Sequence, residues 1–259
     1  MYSIEHIDYL KKLKKKKKII RFIQIILLIS FIFIWELSAK LNLINTFITS
    51  SPSLIIKTLI KLSHEGLFEH IFITIYETFI SFSLGTIIGL IIASILWWNN
   101  YIYKVLDPYL TVLNSLPKVA LGPIIIIWCG AGIKSIILMA LFISLIITII
   151  NISTSFYEVD ENKIKLFKSL KASKWQLYSK LILPISKNTI ISSLKINISM
   201  SLIGVIMGEF LVSKKGIGYL ILYGSQIFNL NLVMCGIIIL SGVAALMYYL
   251  VLYIEKKLT

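Results

Sequence analysis

Six apolar stretches, each long enough to cross a lipid bilayer, dominate this sequence. A helix needs about 20 mostly apolar residues to span the hydrocarbon layer. Hydrophobic residues make up 58% of the 259 residues and charged residues 15%, whereas a soluble domain has about 25% charged residues. The sequence therefore predicts an all-α polytopic membrane protein with six transmembrane helices. The predicted spans are Phe22–Ala39, His70–Trp98, Tyr109–Cys129, Ile133–Ile152, Thr189–Val212 and Leu232–Ile254.

The lysine and arginine residues predict how these spans are oriented. Positive residues concentrate in the cytoplasmic connections of membrane proteins, and the chain carries 26 of them, with a net charge of +14. Most lie in the N-terminal segment 1–21, in the connection between spans four and five, and at the C-terminus. Six spans place these three regions on one side of the membrane. Both termini are therefore expected in the cytoplasm.

The lysine run at 11–18 has two interpretations. A basic tail can bind RNA, but this one directly precedes a membrane helix. An orientation signal that also contacts anionic lipid headgroups is the simpler explanation. A lipid bilayer is therefore an expected partner, and nucleic acid is not.

Two other classes of membrane protein receive little support. An intramembrane enzyme could use Lys195 and Ser199, which are four residues apart on span five, as a nucleophile pair, but nothing in the sequence supplies an oxyanion site. A stand-alone secondary transporter would be supported by inverted repeats, and the six spans show no convincing repeat. The phosphate-binding pattern G-x-x-x-x-G-K-[ST] is missing as well. No catalytic residue, metal site or cofactor is assigned to this chain.

Polar residues within the spans have competing explanations. Span five is the most polar, and Asn197 and Ser201, together with Asn114 and Ser115, are predicted to line an aqueous path. Hydrogen bonding between helices explains the polar residues of span five equally well.

Three features within the spans have no assigned function. Pro117 and Pro123 predict a break in span three, which is either a functional bend or a passive kink. Glycines at four-residue spacing on spans two and five predict close helix packing, within one chain or between two copies. The roles of the acidic residues stay open between a structural and a functional one; they are Glu36, Glu77 and Glu209.

The connection 153–187 has the pattern of two short amphipathic helices rather than of a loop. Ile164, Phe167 and Leu170 recur at helical spacing, and lysines fill the other face. Ser173 is predicted to cap a second helix, which Pro184 is expected to end before span five. The pair could lie on the membrane surface as a basic helix or form a docking element for a cytoplasmic partner.

The end of this connection carries a resemblance to a known family. The residues Ser169-Leu170-Lys171-Ala172-Ser173-Lys174-Trp175-Gln176, followed by Leu181-Ile182-Leu183-Pro184, resemble the cytoplasmic signature of binding-protein-dependent ABC importer permeases. That signature reads Glu-Ala-Ala, three residues, Gly, nine residues, Ile-x-Leu-Pro. The spacing matches without gaps, but the identities depart from it. Lys165-Leu166-Phe167 replaces Glu-Ala-Ala, Lys171 replaces the glycine and Leu181 replaces the isoleucine.

Further motifs, spread over residues 22–257, resemble the sulfonate/taurine/nitrate branch of these permeases. They are Trp35-Glu36, Ser51-Pro52-Ser53, Asp107-Pro108, Leu116-Pro117, Ala120, Pro123, Trp128-Cys129-Gly130, Gly208-Glu209 and Gly216-Ile217-Gly218-Tyr219-Leu220. Glu77 departs from this branch, which commonly has an arginine there. Glu77 and the stretch 114–120 also resemble relatives thought to import thiamine-related pyrimidines.

The resemblance implies a complete import machine, in which residues 22–257 form the permease domain. Two copies of the permease would enclose a path, two cytoplasmic ABC ATPases would bind ATP and Mg²⁺, and an external binding protein would deliver the solute. The coupling region would be about 158–184, in the plasma membrane of a bacterium or archaeon. Phe167 and Leu170 would be its apolar anchors on the ATPase. The implied coupling residues are Asp160, Lys163, Phe167, Lys168, Leu170, Lys171 and Ala172.

Overall fold

The computed structural model describes residues 4–258, and all regular structure within them is helical. The predicted N-terminal segment 1–21 begins outside the described residues. The helices, in chain order, are α1 Ile4–Lys40, α2 Thr46–Thr49, α3 Pro52–His64, α4 Leu67–Trp98, α5 Asn100–Ser115, α6 Gly122–Cys129, α7 Ile133–Tyr157, α8 Glu161–Ser169, α9 Lys174–Leu177, α10 Leu183–Val212, α11 Ile217–Gln226 and α12 Leu230–Leu258.

The all-α membrane architecture is confirmed, with one span broken. Between residues 4 and 258, five helical segments are long and apolar enough to cross a membrane, and a bent pair adds a sixth if its two helices form one span. The five segments are Lys12–Lys40, Leu67–Trp98, Ile133–Tyr157, Lys174–Val212 and Leu230–Lys257.

The bent pair confirms the predicted break in the third span, Tyr109–Cys129, and shows that its first helix begins earlier, at Asn100. Helix α5 ends at Ser115, a short 3₁₀ turn follows, and α6 leaves at 90° to the first helix. Pro117 causes the break through its neighbour, because the residue before a proline is driven out of the helical region. Leu116 accordingly has an extended ψ of 142°. Pro123 lies in the first turn of α6, where its missing N–H costs nothing.

The bundle is centred on α7, which packs between α4 and α10. Glycines make both contacts close. A β-carbon at Gly85 of α4 would lie 2.6 Å from Ser144 Oγ on α7, and one at Gly204 of α10 would lie 2.5 Å from Ala140 Cα on α7. In lipid, this kind of close approach holds helices together through dispersion forces. The predicted glycine faces are therefore used within one chain.

Pro184 does not end a helix, contrary to the prediction from the sequence. Helix α9, one turn of π-helix at Tyr178–Ile182 and α10 form a continuous segment, Lys174–Val212. A proline removes one backbone donor and crowds the carbonyl four residues earlier. The π-helical turn lies directly before Pro184 and widens the helix there. The chain therefore enters the membrane as one helix.

Glu36 has a structural position at the end of α1. Its Oε2 accepts a hydrogen bond of 3.0 Å from the Ser53 backbone N–H, in the first turn of α3. A carboxylate is stabilised by the free N–H groups and the dipole at a helix N-terminus. Glu36 therefore fastens α3, a helix that the sequence analysis left as part of a connection, to the first span.

Replacing Gly204 by alanine should destabilise the bundle, although alanine is the better helix former by about 1 kcal/mol. The new methyl group meets the α7 backbone, which cannot rotate away. We expect a loss of about 1–3 kcal/mol, measured as a lower melting temperature of the purified chain in detergent. The matched control is Gly242→Ala on α12, where a β-carbon has nothing within 4 Å. Equal melting temperatures for the two variants would contradict the packing described here.

Candidate functional site

The connection between α7 and α10 forms a compact element at one end of the bundle. Helix α8 begins at Asp160, whose Oδ1 accepts a 2.8 Å hydrogen bond from the Asn162 N–H. It ends in a Schellman motif, in which the Ala172 N–H donates to the Phe167 carbonyl at 3.0 Å and the Lys171 N–H to the Lys168 carbonyl at 2.9 Å. Both ends of this nine-residue helix are therefore fixed.

Lys171 takes the left-handed position of the Schellman motif, with φ of +56°. Glycine is the usual residue there because other L-residues pay about 1–2 kcal/mol for the left-handed conformation. The departure from the family signature at this position, a lysine for a glycine, thus preserves the backbone shape at an energetic cost.

The two faces of α8 have different surroundings. Ile164 and Phe167 pack against a buried cluster that includes Ile152 and Phe156 of α7. Leu166 and Leu170 point away from the bundle, with 58% and 71% of their surfaces exposed. The predicted anchors therefore separate: Leu170 is available to a partner, whereas Phe167 attaches α8 to its own chain.

Leu166 is the residue that the sequence reasoning missed. The predicted face, Ile164, Phe167 and Leu170, uses two steps of three residues, and each step falls short of a full helical turn. Leu170 therefore rotates off the inner face and joins Leu166, four residues before it. A helical projection of residues 161–170 would have found this outer pair.

Lysines surround the outer face of α8. Lys163, Lys165, Lys168 and Lys171 are all exposed, and the ion pair between Lys165 and Glu161, at 3.5 Å, is open to solvent. A cavity of about 740 Å³ lies between α8 and the ends of α4 and α7, with Trp97, Phe156 and Lys168 among its lining residues. The element therefore presents a positive surface with two apolar side chains in it.

Helix α9 connects this element to α4. Ser173 Oγ accepts from the Gln176 N–H at 3.2 Å, and Gln176 Oε1 accepts from the Ser173 N–H at 2.8 Å. This capping box confirms the predicted second helix. Lys174 Nζ donates to the Trp98 carbonyl and lies 6.0 Å from the centre of the Trp98 ring. Tyr178 shares a 2.6 Å hydrogen bond with Ser94 of α4.

The predicted path-lining residues do not come together on one surface. Asn197 is buried against α4, where its Nδ2 donates to Thr86 Oγ1 at 2.6 Å, and buried Ser201 donates to Asn197 Oδ1 at 3.4 Å. Asn114 and Ser115 instead lie at the break after α5, where Asn114 Oδ1 accepts from Lys118 Nζ at 2.9 Å. Interhelical hydrogen bonding, the alternative left open for span five, describes Asn197. A path along the four residues stays a prediction.

The Lys195 and Ser199 pair has other bonding partners. Lys195 Nζ forms an ion pair with Glu255 of α12 at 2.9 Å, and Ser199 Oγ donates to the Lys195 carbonyl at 3.1 Å. A nucleophilic serine needs a neighbouring base that accepts its proton. Since the hydroxyl points to a backbone carbonyl, this arrangement has no base for Ser199.

A polar cluster joins α4, α10 and α11 at the other end of the bundle. Glu209 Oε1 accepts from Thr74 Oγ1 at 2.6 Å, and Oε2 accepts from the Gly218 N–H at 2.5 Å. Thr74 Oγ1 also accepts from the Ile217 N–H at 2.9 Å, and His70 Nδ1 accepts from the Gly216 N–H at 2.9 Å. Glu209 is therefore the hub that holds the α10–α11 turn on α4.

The turn around Glu209 needs its glycines. Gly216 has φ of +109°, and a β-carbon there would lie 2.2 Å from Glu209 Oε1. A β-carbon at Gly218 would lie 2.7 Å from Glu209 Oε2. The motif Gly216-Ile217-Gly218 thus makes room for the glutamate carboxylate as well as forming the turn.

These features together define a helical membrane protein with a capped, basic helical segment at one end. The model of one family, described as "Binding-protein-dependent transport system inner membrane component", matches residues 85–259. The chain belongs to this family and is an ABC importer permease of the branch that contains the sulfonate, taurine and nitrate permeases. It is accordingly a multi-pass protein of the plasma membrane.

Individual relatives agree with this assignment. The putative aliphatic sulfonates transport permease protein SsuC of Bacillus subtilis is 29% identical over 226 residues, covering 87% of this chain and 82% of that protein. The formylaminopyrimidine transport permease protein ThiX of Halalkalibacterium halodurans is 26% identical over 186 residues, covering 72% and 74%.

The fold has a counterpart among solved structures. An inward-facing structure of the MetNI methionine ABC transporter contains a chain that superimposes with a TM-score of 0.66, at 18% identity, over 74% of this chain and 96% of that one. At this level of identity the likeness supports the fold alone.

Replacing Lys171 by glycine should stabilise the end of α8. The substitution removes the cost of a left-handed lysine, about 1 kcal/mol, and it also makes the unfolded chain more flexible, which reduces the gain. We therefore expect slower amide hydrogen exchange at the Ala172 N–H, measured by mass spectrometry. The control, Lys168→Gly in the last turn of α8, should lose about 1 kcal/mol. Faster exchange in Lys171→Gly would contradict the cap.

Proposed function

We propose that this permease acts as one of two copies in a complex, with a pair of cytoplasmic ABC ATPases docked on α8 and α9. An external binding protein delivers the solute to the opposite side. ATP and Mg²⁺ bind to the ATPases, and the permease itself carries neither. Both termini lie in the cytoplasm, so that the lysines at 11–18, in the first part of α1, contact anionic headgroups of the inner leaflet.

The observation that carries the docking proposal is the division of α8 into two faces. Ile164 and Phe167 hold the helix to the bundle, while Leu166 and Leu170 are left exposed on a helix whose lysines are exposed as well. Apolar side chains surrounded by charged ones are the arrangement found at the centre and rim of a protein interface. The lysines on the rim attract acidic groups of the ATPase and favour the correct encounter.

The fixed ends of α8 explain how movement would pass from the ATPases to the membrane. A segment that changed shape under load would absorb the displacement, whereas a capped helix moves as a body. Phe167 transfers that displacement to Ile152 and Phe156 of α7, and α9 transfers it to α4 and α10. ATP-driven closure would thereby tilt the spans and alternate access to the path.

For the solute, we propose a small polar molecule of the sulfonate, taurine or nitrate kind. The similarity to SsuC supports this class. Glu77 stands where this branch commonly has an arginine, but its side chain is fully buried within the chain. The second candidate is a thiamine-related pyrimidine, which the similarity to ThiX supports.

The double variant Leu166→Ser, Leu170→Ser should lose the ATPase. Each exposed leucine at the centre of an interface contributes about 1–2 kcal/mol, so we expect at least a tenfold weaker association. The test is a pull-down of the tagged chain from native membranes in gentle detergent, with the co-purified ATPase quantified by mass spectrometry.

The matched control is Leu43→Ser, an equally exposed leucine between α1 and α2. It should retain the ATPase, because it lies on the opposite side of the membrane in the proposed orientation. A double variant that kept a stoichiometric ATPase would refute docking through this face.

Phe167→Ala should separate ATP hydrolysis from transport. The outer face of α8 still binds the ATPase, but the helix loses its main attachment to the bundle, at a cost of about 2–3 kcal/mol. We expect at least a tenfold fall in solute moved per ATP hydrolysed, with the chain still inserted in the membrane.

The measurement uses proteoliposomes that contain the permease, its ATPase and the loaded binding protein. Taurine, an alkanesulfonate, nitrate and formylaminopyrimidine are supplied in turn, so the wild-type protein also identifies the solute class. Asn162→Ala, an exposed position on α8, is the control. A wild-type ratio in Phe167→Ala would show that α8 does not act through this side chain.

A further inference from the structure

Glu77 is a buried acid without a hydrogen-bond donor. Its side chain lies on the face of α4 that packs into the bundle, and its exposed surface is 0%. Among the described residues, none donates a hydrogen bond to either of its carboxylate oxygens. An ionised carboxylate left in this state would be very costly, because neither water nor a protein donor replaces its hydration.

The hydroxyl groups near Glu77 along α4 are committed elsewhere. Thr74 Oγ1 donates to Glu209, Thr78 Oγ1 donates to the Thr74 carbonyl at 2.7 Å, and Ser81 Oγ donates to the backbone carbonyl of Glu77 at 2.7 Å. The donors in reach therefore have acceptors already. If one of these hydroxyls rotated to donate to Glu77, it would lose the hydrogen bond that it makes now.

Glu209 is the polar group that adjoins the Glu77 carboxyl, and it also is fully buried. Its oxygens accept from Thr74 and from the Gly218 N–H at the start of α11, so its negative charge is stabilised by two donors and a helix N-terminus. A carboxylate has about four acceptor positions, which leaves Glu209 able to accept once more. Among the described residues, the charged group that acts on the Glu77 carboxyl is the Glu209 carboxylate.

We propose that Glu77 and Glu209 form a buried proton site, in which Glu77 is a neutral carboxylic acid that donates a hydrogen bond to the ionised Glu209. The assignment is asymmetric because Glu209 has donors and Glu77 has none. The proton takes the place of a positively charged side chain between α4 and α10. The pair thus carries one negative charge, compensated locally, and needs no solute or metal ion.

This inference does not rest on the proposed function, and its test needs neither partner nor solute. In Glu77→Gln, the amide replaces the neutral acid and can still donate to Glu209. In Glu209→Gln, the amide turns a donor toward the Gly218 N–H or Thr74 hydroxyl and loses an acceptor. We expect the full-length chain in detergent to keep its melting temperature within about 2 °C in Glu77→Gln and to lose about 5 °C or more in Glu209→Gln.

Infrared spectroscopy of the same samples reports the proton directly. The wild-type chain should show the C=O stretching band of a protonated carboxylic acid at neutral pH, and Glu77→Gln should lose it. Glu65→Gln, an exposed glutamate after α3, should leave both the band and the melting temperature unchanged.

Two results would overturn the proposal. One is failure of Glu77→Gln to fold, or a loss of stability as large as that of Glu209→Gln, since a neutral isostere should be tolerated. The other is a wild-type chain that sodium or lithium chloride stabilises more than choline chloride does, with this difference lost in Glu77→Gln. That result would identify an ionised Glu77 with a bound metal cation in place of the proton.

Discussion

The close contact of α7 with its two neighbours supports the rest of the structure. Lipid offers no hydrophobic force to press helices together, so their association depends on how near their backbones can come. Gly85 and Gly204 allow α4 and α10 to approach Ser144 and Ala140, which are one turn apart on the same face of α7. The buried cluster that holds α8, the buried Asn197 and the Glu209 hub all lie where α4 packs against α7 or α10. Each depends on the spacing that the glycines set.

The sequence predicts the architecture well because the bilayer leaves few alternatives. Length and hydropathy identify the spans, and Pro117 predicts the break in the third one. The 90° angle between the two helices could not be predicted from the sequence, because a proline ends a helix without fixing the direction of the next one. The prediction that Pro184 ends a helix was wrong because a π-helical turn accommodates the proline within a continuous helix. The local composition does not predict that turn.

The coupling segment shows the same division at the level of single residues. The caps at Asp160 and Ser173 follow local rules and are predictable. The side of α8 that faces the bundle depends on the position and direction of the chain where it leaves α7. These are set by tertiary packing and not by the local sequence. For this reason Phe167 turns inward and Leu166 outward. The acid pair of Glu77 and Glu209 could not be predicted either, because the two residues are brought together only by the packing of α4 on α10.

Helix α9, the π-helical turn and α10 form one continuous helix, which carries both the α9 contact with α4 and the Glu209 cluster. Lys174, beside Trp98, is at its first end, and Glu209, which holds the α10–α11 turn, is near its other end. At 1.5 Å per residue, they are about 52 Å apart along the axis. A tilt of about 5° around the middle would shift each end by roughly 2 Å in opposite directions, given that length. The two sites are therefore coupled by geometry: a rigid tilt of this helix that displaces one of them must displace the other in the opposite direction.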